Sequence, residues 1–312
     1  MKKYILNYYP KFQCVAEKCK HTCCAGWEMC IDDKTLTAYQ NEKSAFKDKL
    51  KQGVNFKKAK FKADKKGRCA FLNEKGLCEI IINLGEESLC QVCSDHPRFR
   101  SFFNGIEETG LGFCCEEASR IILSSQEKIE QVLVSVDGEQ EQLDFNQKNV
   151  LDFRKKAIDI LQDRSLSIND RIQKTIKLCK AEIKEQDLKR IIKTLLSLER
   201  VDKSWGKRLK RIKGKRLTAT EQDLTTIAEQ FLVNSLYRHL SDAEDTMWVR
   251  ARAIACIYSW LVIKSIIDNE RAEQKDLFEL VVDAVREYSL EVEYSQNNLN
   301  KLFLVCYKFI EI

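Results

Sequence analysis

Apolar residues recur at helical spacing through the second half of the chain. Ile172, Ile176, Cys179 and Ile183 fall at i, i+4, i+7 and i+11, and after the polar break Glu185-Gln186-Asp187 the stripe resumes with Leu188, Ile191, Ile192 and Leu195. Residues three and four apart share one side of a 3.6-residue turn, so such stripes are the buried faces of helices. The same pattern predicts helices over about 118–133, 147–162, 219–241, 246–268, 275–288 and 296–310. Val132 to Val136, followed by Asp137-Gly138, also fits a short strand and turn. The most apolar stretch, Ala253 to Ile263, lies between Arg252 and Lys264. It has about half of the roughly 20 residues that a membrane span needs, which predicts a buried core helix.

The first third lacks such runs. Residues 1 to about 118 hold both prolines and are broken by Gly26, Gly53, Gly67, Gly76, Gly85 and Gly105. Short helices and loops tied by metal are expected there, because bound metal replaces the core that such a segment lacks. The chain is therefore predicted to be mainly α. An irregular cysteine-rich metal-binding module, iron-sulfur or zinc, takes residues 1–118, and an all-α helical domain takes 119–312.

Composition sharpens this division. With 312 residues and 44% hydrophobic content the chain has room for about two domains and a real core, which excludes disorder and coiled-coil arrays. Of 14 cysteines, 11 lie at positions 14, 19, 23, 24, 30, 69, 78, 90, 93, 114 and 115. The N-terminus breaks its apolar run at Asn7 and carries no small-residue cleavage site, so the expectation is a cytoplasmic protein whose reducing surroundings disfavour disulfides. Metal binding is then the favoured use of the thiols. The net charge is +6, and residues 1–66 alone hold 16 lysines against 7 acids. Between Lys203 and Arg216, 8 of 14 residues are basic, interrupted by Trp205, Leu209 and Ile212. That stretch fits a solvated helix face, or a surface that meets phosphate or an acidic protein.

The densest thiols are Cys14-x4-Cys19-x3-Cys23-Cys24 in CVAEKCKHTCCAGW. Soft anionic sulfurs a few residues apart converge on an iron-sulfur cluster or a zinc ion. A second group follows: Cys69 and Cys78 in GRCAFLNEKGLCEI, Cys90 and Cys93 in SLCQVCSDHPRF, and Cys114-Cys115 in GFCCEEASR. One ion or one cubane takes only four ligands, so the surplus implies a second metal site or bystander thiols. His21 and His96 are open between ligation and polar packing. No Gly-x-Gly-x-x-Gly follows a strand, and the Cys-x3-Cys-x2-Cys triplet is absent.

These segments, with LGEESLCQVCSDHPRF and FCCEEASR, resemble the flagellin lysine N-methylase family, whose members carry a CxxCxxCC-type iron- or zinc-chelating region. EQFLVNSLYRHL is similar to that family's helical C-terminal half, which extends the likeness over most of the chain. The family-like cysteines are Cys14, Cys19, Cys23, Cys24, Cys69, Cys78, Cys93 and Cys115, while Cys30, Cys90 and Cys114 stand outside the pattern. Pro97 and Arg98 match the Cys-x-x-x-Pro-Arg element, with Ser94 where a basic residue is commoner. Cys115-Glu116-Glu117 replaces a Cys-Pro-Glu.

The resemblance implies transfer of methyl groups from S-adenosylmethionine to ε-amines of flagellin lysines, by an enzyme containing a four-iron, four-sulfur (4Fe-4S) cluster. Zinc is a second or alternative metal. Flagellin is the implied partner, with no membrane contact and with nucleic acid disfavoured. Lysine must lose a proton before it attacks a methylsulfonium, and Asp32, Asp33, Glu116 and Glu117 beside the cysteines are candidate bases. Two other readings stay open. A non-catalytic zinc or iron-sulfur interaction module predicts no affinity for S-adenosylmethionine, and a cluster-containing nucleic-acid modifying protein predicts steeply salt-dependent RNA binding.

Overall fold

The computed structural model describes residues 1–25, 29–65, 67–138, 141–215, 218–273 and 276–310. Contacts group the chain into two compact units: Gln13–Pro97 with Cys115–Glu117, and Met1–Phe12 with Arg98–Cys114 and Ala118–Ile312. In chain order the elements begin with strand β1 (Lys2–Leu6). The cysteine-rich unit then contributes helices α1 (Asp33–Gln40) and α2 (Lys47–Gly53), the two-residue strands β2 (Val54–Asn55) and β3 (Lys60–Phe61), and helices α3 (Glu79–Leu84) and α4 (Gln91–Asp95). Strands β4 (Arg98–Phe103) and β5 (Ile106–Leu111), helix α5 (Glu116–Ser124) and strand β6 (Gln131–Val136) follow. The remainder is helical: α6 (Phe145–Leu161), α7 (Ile168–Leu178), α8 (Glu185–Ser197), α9 (Lys203–Ile212), α10 (Thr225–His239), α11 (Thr246–Glu270), α12 (Leu277–Tyr288) and α13 (Gln296–Tyr307).

Strands β4-β5-β1-β6, in that order, form one sheet. β1 runs parallel to β5, pairing Lys2 with Ile106 and Ile5 with Thr109, and antiparallel to β6. The helix expected over 118–133 therefore stops at Ser124, and β-branched Val132, Val134 and Val136 continue as the strand that the same segment also allowed. Glu108 of β5 and Arg154 of α6 form a buried ion pair under this sheet, each 3% exposed.

Helix α11 is the centre of the helical unit and packs against α9, α10, α12 and α13. Ile254, Ile257, Tyr258, Trp260, Val262, Ile263 and Ile266 are buried all round it, as an apolar helix without a polar face requires. Trp260 donates its indole N–H to Thr220 at 3.0 Å, so the large ring is buried with its polar atom satisfied. Among the described residues no helix is long and apolar enough to cross a membrane.

The basic stretch forms α9. Trp205, Leu209 and Ile212 face inward, and Lys203, Lys207, Lys210 and Arg211 are exposed. Arg208 turns in to Glu270 at 2.7 Å, Asp283 at 2.9 Å and Glu287 at 2.6 Å. Arg216 and residue 275, the first position of a predicted helix, lie outside the described residues.

The π-helical turn Ser289–Glu293 after α12 puts a buried carboxylate beside α10. Glu293 accepts from Arg238 at 3.0 Å and stands 3.3 Å from the His239 ring, with Ser289 as a further donor. Burial alone would raise its pKa, but Arg238 and His239 outweigh burial and hold the carboxyl at about 2 against an ordinary 4.5. A depressed acid stabilises the fold above its unfolded pKa and loses that contribution as pH falls toward the folded value. Urea midpoints are expected to fall between pH 4.5 and 2, with Glu293→Gln flattening part of that fall. An unchanged pH profile in the variant would remove Glu293 as the cause.

Candidate metal centre

The cysteine-rich unit is built on a small aromatic core. Phe71 meets Phe61 edge-on at 5.3 Å and Phe46 at 6.0 Å, with Tyr39, Leu50, Val54 and Ile80 around them. At the end of α2, a Cβ on Gly53 would lie 2.4 Å from the Phe71 ring, so only glycine lets the ring seat there. Tyr39 donates its hydroxyl to the Ser88 carbonyl at 2.6 Å.

Cys69 and Cys90 are buried within this core, and Cys24, Cys78 and Cys93 pack against it. The Cys69 N–H donates to the Cys24 carbonyl at 2.9 Å, which ties the CVAEKCKHTCC loop to the second cysteine segment. Cys78 immediately precedes α3, Cys90 precedes α4, and Cys93 sits one turn later with its N–H on the Cys90 carbonyl at 2.9 Å. The thiols of Cys90 and Cys93 are hydrogen-bonded to each other, as are those of Cys23 and Cys24.

Cys14, Cys19, Cys23 and Cys115 form a second neighbourhood. Cys14 and Cys23 are exposed, and Cys19 and Cys115 are half-buried. Glu116, at the start of α5, accepts from the backbone N–H of Lys20 at 3.0 Å and of His21 at 3.2 Å, pinning the turn between Cys19 and Cys23. Gly26 to Glu28, just past this loop, lie outside the described residues.

No disulfide joins any of the 14 cysteines. Burial pushes the Cys19 thiol up to about 12, with Cys115, Glu116 and Cys14 adding repulsion. Burial likewise carries Cys69 to about 12, against a bond from the Phe71 N–H, and raises Cys78. Within the two bonded pairs the proton stays on Cys23 and Cys93, and each lowers its neighbour, Cys24 and Cys90. Crowded, desolvated thiols resist ionising side by side, and a thiophilic cation is the charge that relieves them. Sulfur is the donor type that soft metals select. Among the described residues, however, no group of three or more His, Cys, Asp or Glu side chains is placed to hold a metal ion.

The other candidates fall as follows. Asp32 caps α1, accepting from Thr35 N–H at 2.9 Å and Gln91 N–H at 2.8 Å, and the Gln91 bond leads in holding its carboxyl below the usual range. Glu117 is half-buried and within electrostatic reach of Cys19, and Asp33 opens α1. His21 is exposed, and His96 ends α4 with its N–H on Val92 O at 3.3 Å. Cys30 is exposed, and its carbonyl accepts from the Cys90 thiol at 3.7 Å. Cys114 belongs to the helical unit, hydrogen-bonded to Tyr294. Cys90 is the thiol that the family pattern passes over and the fold puts among the others. Its signal was the Cys90-x2-Cys93 spacing.

Over 125 residues the chain is 26% identical to the lysine-N-methylase of Salmonella typhimurium, a stretch that is 38% of this chain and 31% of that protein. Over this stretch the chain is similar to the lysine-N-methylases. The lysine-N-methylase of Salmonella choleraesuis is 27% identical over 121 residues, 36% of this chain and 30% of its own length. The flagellar biosynthetic protein FliU of Salmonella muenchen is 27% identical over 122 residues, 36% of this chain and 72% of its own length. The match thus spans under a third of the two lysine-N-methylases, and a smaller share of this chain than the sequence motifs imply. No family model matches the chain, and no solved structure matches it.

Proposed function

We propose that this chain is an S-adenosylmethionine-dependent protein-lysine N-methyltransferase acting on flagellin. Its likeness to two lysine-N-methylases carries the reading, and the flagellar name of the third relative points to the substrate. In the reaction the ε-amine lone pair of lysine attacks the methyl carbon as the carbon–sulfur bond breaks. The products are methyl-lysine, S-adenosylhomocysteine and a proton. Because the lysine pKa is about 10.4, the amine must shed its proton before attack.

Cys14, Cys19, Cys23, Cys24, Cys69, Cys78, Cys93 and Cys115 are the residues assigned to metal, as a 4Fe-4S cluster with zinc as second or alternative ion. Such a cluster, when bound, supplies a Lewis-acidic iron and a one-electron redox couple. What the chain itself contributes is the scaffold: the Phe71 core carries the inner thiols, and Glu116 fixes the outer loop. Fourteen cysteines kept as thiols fit a reducing cytoplasm. Flagellin is a large polymer subunit, so its recognition is assigned to an extended surface.

The test is to incubate anaerobically purified protein with flagellin and S-adenosylmethionine and to follow flagellin mass and cofactor products. Methylated lysine with adenosylhomocysteine is the expected result. Unmodified flagellin would overturn the activity, and 5′-deoxyadenosine with methionine would overturn direct transfer.

A further inference from the structure

One edge of the β4-β5-β1-β6 sheet is open and apolar. β6 ends the strand order and pairs only with β1 among the described residues, so the backbone N–H and C=O groups of its outer side meet no strand. Val132, Leu133, Val134 and Val136 are 45% to 60% exposed. They are four of the eleven exposed large apolar side chains among the described residues, so apolar surface gathers on this six-residue strand. Sheet edges are commonly blunted by charge within the strand, as Arg98 and Arg100 mark β4 on the other side of the sheet. β6 has no charged residue between Gln131 and Val136. Its charge lies at the ends instead. Residues 127–144 hold Glu127, Glu130, Asp137, Glu139, Glu141 and Asp144 against Lys128 alone, a net −5 (1 − 6) in a chain of net +6. Lys11 answers Glu127 at 3.2 Å and Lys3 answers Asp137 at 3.1 Å, and the stretch stays negative after both. The Gln142 carbonyl accepts from the Asn104 side chain at 3.2 Å, which holds the segment after β6 against the turn between β4 and β5.

These end charges decide what can pair with the strand. In a second copy, antiparallel pairing centred on β6 sets Glu130 opposite Asp137, and parallel pairing in register sets each acid beside its own kind, so like charges oppose in both. Nucleic acid is repelled for the same reason. An extended polypeptide whose apolar run is flanked by lysines meets β6 with backbone, apolar and charge complement at once. We propose that β6 captures an extended, lysine-bearing segment of the protein substrate as an added strand. Main-chain hydrogen bonds along the outer side hold the segment, the valines and Leu133 cover its apolar side chains, and the acids at the two ends select its lysines. The inference rests on the proposed lysine methylation for the source of that segment, and it draws on none of the cysteines.

The test titrates the full chain into a fluorescently labelled synthetic peptide, an alternating valine–threonine run flanked by lysines, and follows anisotropy at low salt. The peptide is expected to bind, and its counterpart flanked by glutamates is not. The same peptide with its backbone amides N-methylated keeps its charge and loses its donors, and it should not bind either. Val132→Lys combined with Val134→Lys changes two exposed positions and should weaken binding by about 10-fold or more. Glu130→Lys combined with Glu141→Lys should weaken it by about 3-fold or more. No binding of the lysine-flanked peptide would overturn the proposal, as would equal binding of the N-methylated peptide or a Val132→Lys, Val134→Lys variant that titrates like its parent. Where that variant fails to fold by circular dichroism, the N-methylated peptide on the native chain decides. Sedimentation of the parent as a dimer that the double lysine variant dissolves would give the edge to a second copy and overturn the proposal too. Failure of flagellin methylation alongside intact peptide binding would remove the proposed activity and leave the docking strand standing, whereas methylation without peptide binding would do the reverse.

Discussion

Replacing Arg154 with alanine is expected to cost about 3–5 kcal/mol of folding stability, read as a lowered urea midpoint at unchanged slope. Arg154 donates to Glu108 Oε2 at 2.7 Å and bonds the other oxygen through its second nitrogen, and Gln131 donates to Oε1 at 2.5 Å. The guanidinium also lies over the Tyr237 ring at 4.7 Å and the Phe103 ring at 5.5 Å. Removing it strands a carboxylate beneath the sheet, which is the costly half of a buried pair. Arg154→Met combined with Glu108→Gln removes both charges and should recover much of the loss. A single-variant loss under about 1 kcal/mol would mean that water reaches Glu108, and the pair would have no structural weight.

Glu116→Ala is expected to weaken metal retention by about 10- to 100-fold, the usual effect of losing a group that orients ligands. Its carboxylate holds the Lys20 and His21 N–H groups, so the turn between Cys19 and Cys23 loses its anchor when it goes. Chelator competition on anaerobic protein measures the effect. Circular dichroism should remain that of the parent, and Glu116→Gln, which keeps an acceptor oxygen, should fall between the two. Equal retention in Glu116→Ala would show that the loop needs no such anchor.

Much of the helical unit was legible because burial imposes a period. The stripe read over 246–268 became α11, and 147–162 became α6 with ends shifted by at most two residues. The sheet was not legible. β1 is a five-residue segment whose partners lie about a hundred positions away, and no local pattern encodes that pairing. The β4–β5 hairpin did carry a signal, Asn104-Gly105, with Gly105 at φ +71°, but among many glycines it read as one more break. Composition also hid Arg208. A basic run looks solvated, and only the fold reveals the three acids of α11 and α12 that draw this arginine inward. In the cysteine-rich unit, sequence gathered the thiols but did not divide them. Cys23 and Cys24 are neighbours in the chain and bonded thiol to thiol, and of the two only Cys24 packs on the inner core while Cys23 is exposed.

The register of β1 dictates an order of events during synthesis. Residues 13–97 are all made before Ile106–Thr109 exists for β1 to pair with, and its other neighbour, Gln131–Val136, comes later still. Non-local pairing of this kind is slow, since the loop must close before any contact stabilises it. On the ribosome most of the thiol unit, residues 13–97, is therefore made while the first strand is still unpaired, but its last members, Cys115 and the loop anchor Glu116, follow β5 itself. A fragment ended at residue 118 would keep β1 beside β5 and leave its opposite edge bare, an invitation to aggregate.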